Sequence, residues 1–168
     1  MPNNISKSFE PAMRFGGLGG LFTMGGIYTY YLMGVEAFSN PSYGLILFGV
    51  LFLVNTGMAV GAGLLRKGEL GGSLPFREAV GQTFVTLGII VVCYHAFYFI
   101  LLNVIDPTLV DKLTDIRMDQ LREMKESGEL KKETFKQRKE MAETSQLSFS
   151  DFFWLTLVFL VLSFLYSL

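Results

Sequence analysis

The sequence predicts an all-α protein: an integral membrane four-helix bundle with a charged helical hairpin outside the membrane, between the third and fourth spans. Three observations carry that prediction. Of the 168 residues, 51% are hydrophobic and only 17% charged, against about a quarter charged in ordinary soluble domains. Four stretches are apolar over the roughly 20 residues needed to cross about 30 Å of hydrocarbon. Finally, nine of the fourteen Lys and Arg and ten of the fifteen Asp and Glu fall within residues 106–148. One part of the chain suits lipid and the other suits water.

The first span, residues 15–35, is rich in glycine and stops at Glu36 and the Ser39-Asn40-Pro41-Ser42 turn. The second, 43–65, contains no charge and ends at Arg66-Lys67-Gly68. The third, 75–105, opens on a proline, which suits the first turn of a helix. It is longer than the hydrocarbon requires, so Arg77 and Glu78 are expected at the interface. The fourth covers residues 149–168. Tyr28, Tyr30, Tyr31, Tyr43 and Trp154 stand near span ends, where amphipathic rings sit at headgroup level. Each span is apolar all round, whereas a helix of a soluble bundle shows one apolar stripe.

The polar stretch reads as two helices. Asp106-Pro107 supplies an N-cap and a proline at the first helical position. Leu109, Leu113, Ile116, Leu121 and Met124 then share one face, opposite Asp111, Asp115, Asp119, Arg122 and Glu126. Ser127-Gly128 breaks the helix, and residues 129–144 form a second, weaker amphipathic helix. Such a hairpin has little core of its own. Its apolar face is therefore expected to dock partly on another membrane protein or on a second copy, as apolar anchors of a helix fill a groove.

Several classes of chemistry are disfavoured. A net charge of −1 argues against nucleic acid. Cys93 is the only cysteine and His95 the only histidine, so no internal disulfide and no multi-Cys or multi-His metal site is available within one chain. About 200° of helical rotation separates Cys93 from His95, too far apart for a catalytic dyad. No catalytic residue, metal or cofactor is expected, and no signal-peptide pattern precedes the first span. No charged residue lies deep in a span and the halves do not repeat each other, unlike many ion-coupled carriers.

Two sets of residues inside the spans call for partners. Asn55, Gln82, Thr86 and His95 are polar in an apolar setting, so they bond other helices or, less commonly, contact a substrate. Gly57, Ala59, Gly61 and Gly63 place small side chains along the second span, and Gly16 and Gly20 do so in the first. Small residues let helices approach closely.

The stretch Leu70-Gly71-Gly72-Ser73-Leu74-Pro75-Phe76-Arg77-Glu78-Ala79 opens the third span, and Asn103-Val104-Ile105-Asp106-Pro107 closes it ahead of the hairpin and last span. With this layout the chain resembles the DUF4199 family of small membrane proteins, found mainly in Bacteroidota. The resemblance extends over essentially the whole chain. It implies four spans in the inner membrane, and it implies no activity and no catalytic residues.

The function expected is that of a non-catalytic membrane subunit or scaffold in the bacterial cytoplasmic membrane, associating with other membrane proteins. Alternatives are an accessory partner of a lipid-linked glycosyltransferase, or a carrier or enzyme for a membrane-dissolved substrate around Asn55 and His95. Lys7 and Arg14 precede the first span, and Arg66, Lys67 and Arg77 follow the second. Positive residues favour the cytoplasmic side, which puts both termini there and the hairpin opposite. The hairpin's own Lys and Arg pull the other way.

Overall fold

The computed structural model describes residues 7–128 and, beyond them, positions 158 and 161. The rest of the expected fourth span and the expected second hairpin helix lie outside the described residues. Within them the chain is all helical: α1 (Glu10–Leu32), α2 (Val35–Ser39), α3 (Pro41–Glu69), α4 (Phe76–Ile100) running into a π turn (Leu101–Ile105), and α5 (Leu109–Glu126).

Local chemistry explains most helix ends. Asn40 caps α3, its side chain accepting from the Ser42 amide at 2.9 Å, with Pro41 in the first helical position. At the other end Gly71 (φ 75°) and Gly72 (φ 98°) adopt left-handed geometry. The Gly72 amide bonds the Lys67 carbonyl and the Gly71 amide that of Gly68, the paired bonds of a Schellman stop. Pro75 stands at the N-cap of α4 rather than inside its first turn. Gly34 (φ 95°) ends the first long helix and lets the chain turn into α2, so the expected span at 15–35 becomes a helix that starts five residues earlier and stops at Leu32.

Asp106-Pro107 also differs from expectation. α5 begins at Leu109 with Thr108 as its N-cap residue, and Asp106 closes a turn just before it. The Asp106 carboxylate accepts from the Thr108 amide at 3.1 Å and from its hydroxyl at 2.6 Å. An Asx turn has taken the place of a direct cap.

α1, α3 and α4 pack side by side, with α1 against both of the others. α1 and α4 run parallel: Ala12 meets Gln82, Gly16 meets Thr86 and Ile89, and Gly20 meets Cys93. α3 runs antiparallel to α1: Phe15 meets Gly61, Thr23 meets Asn55, and Gly26 meets Leu51 and Leu47.

Among the described residues, two helices are long and apolar enough to cross a membrane: α3, and α4 together with its π turn. Only 17% of the apolar window of α3 and 28% of that of α4 is buried inside the protein. Their outer faces, with Leu45, Ile46, Phe48 and Leu53 on α3 among them, point away from the chain. α1 does not reach the same apolarity. It carries Glu10, Arg14 and six glycines, and it packs on both of the others more extensively than they pack on each other.

Candidate functional site

Three of the four polar residues within the helices, Asn55, Gln82 and Thr86, bond to α1. Gln82 is fully buried. Its side-chain oxygen accepts from the Ala12 amide at 3.1 Å, and its amide nitrogen donates to the Ser8 carbonyl at 2.6 Å. The first amides of a helix have no partner within it. α1 has no local side-chain cap at Phe9. A glutamine from another helix therefore does a capping residue's work. Thr86, one turn along, is also fully buried and donates to the Gln82 carbonyl at 2.8 Å and the Ala12 carbonyl at 3.4 Å.

Asn55 finds its partner on α1 as well. The Thr23 hydroxyl donates to Asn55 Oδ1 at 3.3 Å and accepts from Asn55 Nδ2 at 3.2 Å. His95 is buried and engages its own helix: Nδ1 lies 2.9 Å from the Val91 carbonyl oxygen, so it carries the hydrogen. The imidazole packs edge-on against Tyr94 at 4.9 Å between ring centres, and Tyr94 stacks on Tyr98. Asn55 thus bonds α1, and His95 bonds back along α4.

The small residues divide unevenly. A Cβ added at Gly16 would stand 2.9 Å from Ile89 Cβ and 3.1 Å from the Thr86 carbonyl oxygen. One at Gly20 would stand 2.7 Å from Cys93 Sγ and 2.9 Å from its Cβ. In the second span, Ala59 is buried and Gly61 receives the edge of the Phe15 ring, 2.7 Å from such a Cβ. Gly63 is in ordinary contact with Leu74, and among the described residues Gly57 meets nothing within 4 Å. The tightest backbone approach is thus the α1–α4 seam.

The apolar face of α5 is graded. Leu109 is fully enclosed with Ile27, Leu101 and Leu102, and Leu113 packs on that cluster. Enclosing a leucine is worth about 2 kcal/mol. Leu109 therefore anchors the helix to its own chain and is not open to a partner. Ile116 and Leu121 are half-buried, and Met124 is 38% exposed. Asp106 ties this end together: Oδ2 accepts from Lys112 Nζ at 3.2 Å and from the Tyr31 hydroxyl at 3.3 Å, at the end of α1. The Thr108 hydroxyl, followed by Lys112, holds the Asp106 carboxyl below the usual aspartate range.

At the opposite end Arg66, mostly buried, donates to Glu78 at 2.9 Å, Glu69 at 3.1 Å and the Ser8 hydroxyl at 3.1 Å. The end of α3, the start of α4 and the segment before α1 are joined there. Thr23 and Ser8 carry no assignment from the sequence, and Arg66 and Tyr31 are marked there only as residues at span ends. Thr23 alone had a usable signal, as a polar residue amid apolar neighbours. The others are ordinary interface residues whose partners lie 12 to 75 positions away.

No curated protein and no solved structure matches this chain. A family profile does, described as a protein of unknown function and aligned over residues 14–168. It covers the motifs that open α4 and precede α5 as well as every helix from Arg14 onward, and on that match the chain belongs to the DUF4199 family.

Proposed function

We propose that this protein is a non-catalytic subunit or scaffold of the bacterial cytoplasmic membrane, a four-span bundle that holds another membrane protein through the later turns of α5. The observation that carries the reading is the graded face of that helix. Its first turn is anchored by Leu109, while Leu121 and Met124 extend an apolar stripe past the part the bundle encloses. An amphipathic helix fixed at one end and open at the other suits helix-in-groove recognition.

The interior supports the same role. Asn55, Gln82 and Thr86 bond to α1, as polar groups do when they join helices. The chain's positive residues support the proposed sidedness. Lys7, Arg14, Arg66, Lys67 and Arg77 sit near the end where Arg66 meets Ser8, which favours that end facing the cytoplasm and α5 lying on the other side.

The test is co-purification in mild detergent of the wild type and of the Leu121→Ser, Met124→Ser double variant. The expected result is an unchanged melting midpoint with loss of the co-purifying membrane protein. A double variant that keeps its full set of partners would remove α5 from recognition. If the only partner is another copy of the chain, the reading becomes homo-oligomeric.

A further inference from the structure

We propose that the groove between the α1–α2 turn and α5 binds the headgroup of a phospholipid carrying a primary ammonium, of the ethanolamine class. The groove encloses about 530 Å³ and is lined by Met33, Gly34, Val35, Glu36, Lys112, Asp115 and Ile116. That volume is within the range of small-molecule sites. The inference rests on the membrane reading above.

Position selects the class of ligand. The Tyr31–Asp106 bond holds the end of α1 level with the end of the apolar helix that runs from Phe76 through Ile105. α3, the other apolar helix, starts at Pro41, shortly after α2. The groove therefore opens just where both apolar helices end, which in a bilayer is the depth of the headgroups.

Lining chemistry then selects among headgroups. Met33, Val35 and Ile116 supply apolar walls, and Leu32 and Met33 extend an exposed apolar strip toward the hydrocarbon side, where an acyl chain would lie. Among the described lining residues, the charged groups are two carboxylates, Glu36 and Asp115, and one ammonium, Lys112. Lys112 is half exposed and uses one contact on Asp106, so two of its three N–H bonds can serve a phosphate. A headgroup with one phosphate and one primary ammonium matches this set. A glycerol headgroup brings net negative charge beside two carboxylates, and a choline headgroup has no N–H to donate.

The experiment uses the full chain reconstituted in vesicles of equimolar phosphatidylethanolamine, phosphatidylglycerol and phosphatidylcholine. Flotation of the vesicles first reports insertion, so a failure of the membrane reading shows itself separately. Gentle extraction and native mass spectrometry then count the lipids retained. Ethanolamine lipid should be enriched about fivefold over the other two, the factor that one net ion pair near the surface supplies. Glu36→Gln with Asp115→Asn should erase the enrichment, and Asp115→Lys should turn it toward phosphatidylglycerol. Asp119→Asn, a neutralisation elsewhere on α5, should leave it unchanged. An inserted wild type that retains the three lipids equally would overturn the proposal, as would an enrichment that survives the double neutralisation. A melting profile for each variant separates loss of the site from loss of the fold.

Discussion

Two helices of this protein carry glycine at helical spacing, and they use it in different ways. On α1, Gly16 and Gly20 face α4 so closely that a methyl group would strike the Cβ atoms of Ile89 and Cys93. On α3, among the described residues, Gly61 faces only the edge of a movable phenylalanine ring, and Gly57 faces open space. The difference is in what stands opposite. A seam is tight where a second backbone occupies the space a side chain would need, and loose where a flexible side chain does. Spacing alone puts small residues on one stripe, and the fold decides whether a neighbour reaches it.

The sharpest way to break that contrast is Gly16→Leu with Gly20→Leu. Neither Ile89 Cβ nor the Thr86 carbonyl can move without α4 itself moving. The pair should cost roughly 2–6 kcal/mol, the range for two overpacked sites. A melting midpoint in detergent close to wild type would show that the α1–α4 approach is not tight. Next comes Gln82→Leu, which strips the acceptor from the Ala12 amide and the donor from the Ser8 carbonyl. An unsatisfied buried group costs about 1–3 kcal/mol. Amide exchange at Ala12 should quicken well before the remainder of α1 exchanges.

A smaller effect is expected for the Thr23–Asn55 bond. Polar pairs between helices in apolar surroundings average about 0.6 kcal/mol. A double-mutant cycle with Thr23→Val and Asn55→Leu should return a coupling of that order, and zero coupling would show that the two side chains do not bond.

The Asp106 node should respond to acid. Its native value is lowered, so its contribution is present in full above the usual aspartate value. It is lost as the pH falls from there through the lowered native value. Amide exchange in α5 should quicken in that window while α4 stays protected, and Asp106→Asn should remove the step. The smallest effect belongs to Gly57→Leu, expected within about 0.5 kcal/mol of wild type because nothing lies near it. A large loss there would reveal a neighbour at that face beyond the described residues.

The helical class, the charge-rich region after α4 and most turn positions were legible in the sequence. Pro41, Gly71, Gly72 and Gly128 mark geometry that neighbouring residues alone require. Asn55, Gln82 and Thr86 were recognisable as groups in need of partners, because a polar side chain amid apolar ones must bond to something. Which partners they meet was not legible. Ala12 and Gln82 are 70 residues apart, and Tyr31 and Asp106 are 75 apart. No local pattern encodes a register between helices.

The sequence by itself determined what each segment can be: apolar helix, capped turn or amphipathic helix. Those outcomes depend on backbone geometry and on contacts within a few residues. Tertiary structure alone decided that the least apolar long helix of the bundle, α1, packs most extensively on the other two. It also decided that a glutamine from α4 caps α1, and that Leu109 is enclosed while Met124 is not. Such outcomes depend on how surfaces fit when helices distant in sequence come together. A single chain's residue order specifies that fit only through the whole fold.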